Sequence, residues 1–239
     1  MTQQPPRILI VGGGYVGLYT ALRLTSKLQR DEAVVTVVDP RSYMTYQPFL
    51  PEAGAGSIQP RHTVVPLRQT LPDAEIVTGS VAQVEHARKV ATIVPLEGEA
   101  YELPYDVLVM AVGAVPRTLP IPGLADWAIG FKNVEEAIAL RNHVLECLDI
   151  AETATDPEIR ERNLTFVFVG GGYAGVEALA EIEDLARYAT RYLRNVTPDD
   201  LRFVLVEATG RILPEVGPEL GEWTAEKLRE RGIEVRLET

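Results

Sequence analysis

Short apolar runs alternate along this chain with longer stretches whose apolar residues recur every three or four positions. Residues 7–11, Arg-Ile-Leu-Ile-Val, form a β-branched run of the kind found in strands buried on both faces. Beyond them Leu18, Ala21, Leu22, Leu24 and Leu28 mark one face of a helix, and residues 33–38 make a second apolar run. Residues 40–72 carry prolines at 40, 48, 51, 60, 66 and 72 and read as loop with short helix. Residues 75–94 read as strands around a turn near 86–89. Residues 102–111 hold a further strand, whose Val107-Leu108-Val109-Met110 core is expected to be buried. After a proline-rich crossing at 116–122, ending in Gly123, the apolar positions 134, 137, 138, 140, 144, 145 and 148 predict a helix with one buried stripe. Asp156-Pro157 opens a short helix with a cap and a first-position proline. A buried strand at 164–169, a helix at 176–193, a strand at 201–206, a helix at 218–231 and one last strand complete an α/β pattern.

The joints between strand and helix carry the chemistry. Gly12, Gly14 and Gly17 fit Gly-x-Gly-x-x-Gly directly after the first strand. In that motif the first glycine makes a tight turn, the second lets backbone approach a pyrophosphate, and the third lets helix and strand pack closely. The helix N-terminus then offers unpaired N–H groups to phosphate. Asp39, 22 residues beyond Gly17, ends the second strand, where a carboxylate can accept from a ribose 2′-OH. Asp39 could also merely cap a turn before Pro40. The whole unit then recurs: Gly170, Gly172 and Gly175 follow the strand at 164–169, and Glu207, 32 residues beyond Gly175, stands where Asp39 stood. The surplus of ten residues is expected in a longer helix and in the loop at 195–200. One such unit is a binding module, whereas two in tandem imply two cofactors exchanging electrons. The fold expected is therefore two Rossmann-like dinucleotide-binding domains, 1–123 and 124–239, with the crossing at 116–122 as their boundary.

Composition narrows the partners. A length of 239 residues allows one large domain or two small ones, and 46% hydrophobic content is enough for real cores. A net charge of −11 supplies no basic patch for nucleic acid. No run of about 18 apolar residues is present to cross a membrane. The first six residues lack the charged and apolar regions of a signal peptide, and Cys147 is the single cysteine; both fit a cytoplasmic location. His62, His86 and His143 have no metal-ligand spacing and read as structural or surface residues, so no metal site is expected. Cys147 lies on its helix's apolar stripe and reads as core, while Trp127 and Trp223 read as packing residues.

Two glycine units separated by a strand-rich insert resemble the two-dinucleotide-binding flavoproteins of glutathione-reductase-like fold. Tyr46-Gln47-Pro48-Phe49-Leu50-Pro51-Glu52 resembles the Phe-Gln-Pro segment of type II (alternative, non-proton-pumping) NADH:quinone oxidoreductases, and the residues at 170–177 and 207–214 fit that branch. The resemblance implies FAD in the first unit. Its contacts would come from Gly12, Gly14, Tyr15, Val16, Gly17, Asp39, Pro40, Arg41, Tyr46, Gln47, Val81, Ala111 and Gly113. Of these, Arg41 reads equally as a phosphate ligand or a solvated residue. The second unit would hold NADH through Gly170, Gly172, Tyr173, Ala174, Gly175, Glu177, Glu207, Ala208 and Arg211. Glu207 should repel a 2′-phosphate and so favour NADH over NADPH, although Arg211 leaves an opening for phosphate. Glu177, expected in the first turn of the second helix, either complements the helix dipole or, with Gln47, serves the nicotinamide and flavin as a catalytic group.

The resemblance implies an FAD-dependent NADH dehydrogenase with a quinone or another electron acceptor, and it allows a homodimer. Val112 stands where the family has threonine, so one hydroxyl contact to the flavin is missing. In the family more sequence follows the position of Thr239. The chain therefore resembles the N-terminal portion of a longer protein, with the second domain truncated, and this length alone is expected to be inactive. Attachment to the cytoplasmic face of a membrane would come from the further region. Three rivals share the architecture or the ligand. A disulfide reductase needs cysteine near residues 40–55, and none is there. A ferredoxin- or rubredoxin-reductase needs none. A non-catalytic nucleotide-binding module would bind NADH without turnover.

Overall fold

The computed structural model describes residues 4–29, 31–115 and 120–239. In chain order the elements are β1 (Arg7–Val11), α1 (Tyr15–Thr25), β2 (Val34–Asp39), β3 (Tyr43–Thr45), α2 (Leu50–Gly54), β4 (Val64–Pro66), α3 (Leu67–Thr70), β5 (Glu75–Glu85), β6 (Val90–Pro95), β7 (Tyr101–Pro104) and β8 (Val107–Met110). They continue as α4 (Leu124–Trp127), α5 (Val134–Thr153), α6 (Pro157–Asn163), β9 (Thr165–Val169), α7 (Tyr173–Ala189), β10 (Arg202–Val206), α8 (Pro218–Glu230) and β11 (Glu234–Arg236). Two compact units emerge: Met1–Tyr46 with Val64–Arg117, and Gln47–Thr63 with Thr118–Thr239. This division differs from the expected boundary at 123/124. Residues 47–63 group with the second unit, because α2 lies against α5 and α7 there. Part of the expected crossing, 116–119, lies outside the described residues.

In the first unit the sheet runs β7-β6-β5-β2-β1-β8. The strands β5, β2, β1 and β8 are parallel, and β5, β6 and β7 form an antiparallel extension. The side-chain period of two explains why β1 is apolar from Ile8 to Val11, on both faces. Ile10 points into one core with Leu18, Ala21, Val37 and Leu67, while Leu9 and Val11 point into another with Ala91, Ile93 and Tyr105. The expectation for Val107-Leu108-Val109-Met110 was wrong. β8 is an edge strand, and Met110 is 56% exposed.

The second unit carries the parallel sheet β11-β10-β9. Its core gathers Val144, Leu148, Leu179, Ile182, Phe203, Leu205 and Leu228. Here too an expected buried strand is an edge, since Val167 and Val169 on β9 face outward. The extra residues of the second repeat fall where the spacing places them. α7 has 17 residues against 11 in α1, and two turns of 3-10 helix follow it at Thr190–Tyr192 and Pro198–Asp200. α5 opens with a reciprocal cap in which Asn133 accepts from the Glu136 N–H and Glu136 accepts from Asn133. At its far end the Glu152 carboxylate accepts the N–H groups of Arg194, Asn195 and Val196 and anchors that loop. The fully buried Glu183 is paired with Arg187 and Arg231 and ties α7 to the end of α8. Trp127 and Trp223 are 87% and 53% exposed, which corrects their reading as packing residues.

Candidate functional site

The two glycine turns share a backbone conformation, each within its own unit, although a Cβ on Gly12 would lie 2.2 Å from Ala111 O and one on Gly170 would meet nothing within 4 Å. Gly12 adopts φ +104° and Gly170 φ +107°, a left-handed range that favours glycine. Their N–H groups donate to Val38 O and Val206 O at 2.8 Å, which fixes each turn to the neighbouring strand. A Cβ on Gly17 would lie 1.8 Å from Gly12 O, and one on Gly175 would lie 2.0 Å from Gly170 O, so helix and turn touch through backbone. Gly14 and Gly172 differ from these. Their backbone is extended, as any residue's can be, with φ near −72° and −74°. A Cβ on Gly14 would meet nothing within 4 Å, and one on Gly172 would meet only Glu215 Oε1 at 3.6 Å. Nothing in the fold itself requires glycine at these two positions. The space they leave at a helix N-terminus suits a diphosphate, and on that test the residues fit a dinucleotide at each turn.

The strand-end acids do more than the spacing suggested. Asp39 Oδ2 accepts from Gly13 N at 2.7 Å, and Asp39 Oδ1 accepts from Arg41 N at 2.8 Å. In the second unit Glu207 Oε2 accepts from Gly171 N at 2.6 Å, and Oε1 accepts from the Thr209 N–H and hydroxyl, each at 2.8 Å. Burial alone would raise the Glu207 pKa. The N–H groups of Gly171, Thr209 and Ala208, with the Thr209 hydroxyl, hold it below the usual carboxylate range. Each carboxylate thus pins the middle glycine of its turn, and Asp39, with two donors, keeps lone pairs free for a further one. The middle glycines have their own steric cause. A Cβ on Gly13 would lie 2.6 Å from Leu67 Cδ1, and one on Gly171 would lie 2.8 Å from Ile212 Cγ2.

The remaining candidates take varied places. Tyr15 and Val16 open α1, and Tyr15 lies with Tyr46 at 6.1 Å between ring centroids, tilted by 56°. Pro40 and Arg41 are exposed just past Asp39. Ala111 N donates to Val11 O at 2.8 Å, its carbonyl lies where a Cβ of Gly12 would fall, and Gly113 follows at φ +66°. Val81 sits on β5 beside a bulge. Gln47 groups with the second unit while Tyr46 groups with the first, and the Gln47 amide donates to Lys132 O at 3.2 Å. Tyr173 and Ala174 lead α7, so the helix begins three residues earlier than its apolar stripe implied. Glu177 therefore lies past the first turn, on an exposed face, which removes the simple dipole reading. Arg211 donates to Pro214 O at 2.9 Å. Residues 165–170 and 172–175 line a cleft of about 650 Å³ with Trp127, Ile129 and Glu215.

Residues 6–239 match the family model described as pyridine nucleotide-disulphide oxidoreductase. The chain belongs to that family. Among curated members it is 31% identical over 243 residues to the type II NADH:quinone oxidoreductase Ndh of Mycobacterium tuberculosis, covering 99% of this chain and 51% of that protein. It is 29% identical over 242 residues to the external alternative NADH-ubiquinone oxidoreductase of Yarrowia lipolytica, covering 97% of this chain and 41% of that protein. The chain thus spans about half the length of the curated relatives it matches. The solved structure of NDH2 from Plasmodium falciparum in complex with NADH shares the fold, with a TM-score of 0.89 at 23% identity over 98% of this chain and 48% of that one.

For a member of the pyridine nucleotide-disulphide oxidoreductase family the lone thiol is informative. Cys147 is buried on α5 near the His143 ring, and burial, with Glu146 adding, pushes its pKa up. A buried neutral thiol is a poor nucleophile, so this cysteine is core, as its place on the stripe implied. Among the described residues no group of His, Cys, Asp and Glu could hold a metal ion, and no helix is long and apolar enough to cross a membrane.

Proposed function

We propose that the protein is an FAD-dependent oxidoreductase that takes a hydride from NADH and passes electrons to a quinone. The observation that carries this reading is the doubled turn: two glycine cradles, each open at its second glycine and each closed by a strand-end carboxylate. The type II NADH:quinone oxidoreductases among its relatives support the choice of donor and acceptor.

The first turn would hold FAD. Gly12, Gly14 and Gly17 shape the diphosphate cradle, the N–H groups of Tyr15 and Val16 face it, and the free lone pairs of Asp39 accept from the ribose. Pro40, Arg41, Tyr46, Gln47, Val81, Ala111 and Gly113 complete the proposed contacts. When bound, FAD supplies the two-electron redox chemistry. The chain's own task is to bind and orient each nucleotide, which is what hydride transfer would require of it. At the second turn Gly170, Gly172, Tyr173, Ala174 and Gly175 would cradle the NADH diphosphate. Glu207 accepts from the 2′-OH and repels a 2′-phosphate, while Arg211 donates to Pro214 O and keeps its other N–H groups as the opening for phosphate. Glu177 and Gln47 remain the candidates for positioning the nicotinamide and for moving a proton, with Ala208 flanking the ribose. The buried Cys147 makes disulfide chemistry a poor alternative. Steady-state NADH oxidation by the protein as its host makes it, with a soluble quinone set against ferredoxin or rubredoxin, tests the proposal. Turnover with quinone is the expected result, and turnover only with a protein acceptor would replace it.

A further inference from the structure

The loop after β10 packs on the second turn, where Ile212 and the Glu207 carboxylate both approach Gly171. Leu213 is held at φ +51°, a left-handed conformation that costs a non-glycine residue energy and persists only where its surroundings enforce it. Two contacts enforce it: Leu213 N donates to Gly171 O at 2.7 Å, and the neighbouring Ile212 side chain is fully buried against the turn. The loop is therefore locked onto the glycine turn. Its next charged residue, Glu215, is exposed, and its Oε1 lies 3.6 Å from where a Cβ on Gly172 would stand. Among the described residues the Glu215 carboxylate has no ion-pair partner. Glu215 also lines the same cleft as Gly170, Gly172 and Gly175.

We propose that Glu215 is an affinity-setting residue that weakens the second turn's hold on the diphosphate of any nucleotide by charge repulsion. The inference rests on the reading of this turn as the NADH site. A carboxylate beside Gly172, the glycine whose extended backbone at the helix N-terminus leaves room for phosphate, opposes every ligand that carries a diphosphate there. It does so independently of Glu207, which acts at the ribose. Weaker holding speeds release of the oxidised nucleotide, a step that commonly limits turnover.

The test uses the purified protein with Glu215→Gln and Glu215→Lys, and measures equilibrium binding of NADH, NADPH, ADP and adenosine at low and high salt. Like charges about 5 Å apart in a water-like dielectric are worth about a fourfold change in affinity at low ionic strength, so Glu215→Gln should tighten NADH by at least about that factor. Glu215→Lys should tighten it further, and salt should shrink both effects. NADPH and ADP should shift in parallel with NADH, whereas adenosine, which has no phosphate, should not shift. Equal NADH affinity in all three proteins would overturn the inference and leave the site reading standing. An equal shift for adenosine would overturn it as well, because the effect would then not be on the diphosphate. Failure of all three proteins to bind either NADH or ADP would overturn the site reading and this inference with it.

Discussion

Replacing Gly175 and Gly172 separately by alanine should separate folding from nucleotide binding. The two positions lie three residues apart at the start of α7, but a methyl group has different consequences at each. On Gly175 it would lie 2.0 Å from the Gly170 carbonyl oxygen, whereas real Cβ contacts under 3.0 Å are essentially never seen. The obstacle is backbone, so α7 must retreat from the turn by about an ångström and loosen its packing on β9 and β10. Overpacking of this kind costs about 2–3 kcal/mol. For a domain of this size that lowers Tm by roughly 5–10 °C. On Gly172 the nearest atom is the movable tip of Glu215 at 3.6 Å, and the backbone is already extended. Gly172→Ala should therefore leave Tm unchanged, or raise it through about 0.4–1 kcal/mol of reduced freedom in the unfolded chain. Its methyl would occupy the proposed diphosphate position, weakening NADH at least about tenfold, or about 1.4 kcal/mol. Thermal unfolding followed by circular dichroism and NADH binding followed by fluorescence give the two readouts. Gly172→Ala losing as much stability as Gly175→Ala, or binding NADH normally, would refute the reasoning.

The same logic extends to the other turn and to the acids. Gly14→Val should abolish the yellow colour of the protein without unfolding it, and flavin retained at normal stoichiometry would place FAD elsewhere. Glu207→Gln removes repulsion of a 2′-phosphate and weakens the ribose contact, so the NADH preference should fall, each tenfold change corresponding to about 1.4 kcal/mol; an unchanged ratio of kcat/KM for NADH and NADPH would count against the assignment. Glu207 and Asp200, the latter through the N–H and hydroxyl of Thr197, have folded-state pKa values below their ordinary ones. Their contribution to stability is present above the unfolded carboxylate pKa of about 4 and is lost as pH falls through the lower folded values, so Tm should drop in that acid range. Glu207→Gln should flatten the drop, and an identical pH profile would show that its hydrogen bonds add nothing.

The turns were legible because covalent spacing alone sets them: a strand, three glycines and a strand-end acid must fall in that order for the backbone to close around a diphosphate. What the sequence hid depends on residues distant along the chain. The middle glycines, Gly13 and Gly171, are required because Leu67 and Ile212 pack over them and the acids take their N–H groups, although a third glycine in both repeats was a usable signal. The apolar runs at 107–110 and 164–169 looked buried because composition carries no strand order, and both strands proved to be edges. The grouping of residues 47–63 was hidden for a related reason. Prolines in residues 40–72 indicate a loop but do not say which unit it packs with, and residues 47–63 pack with the second. Glu215 carried no motif at all, and only the left-handed turn at Leu213 brings it to Gly172.

The central claim is that one protein holds a flavin at the first turn and a reduced pyridine nucleotide at the second. The most direct measurement is to take the protein as its host makes it, determine flavin per chain, and add NADH without oxygen while following flavin absorbance. The account predicts a yellow protein with FAD near one per chain, bleached rapidly by NADH, more slowly at equal concentration by NADPH, and recoloured by a soluble quinone. A colourless protein, or a bound flavin that NADH leaves oxidised, would contradict it.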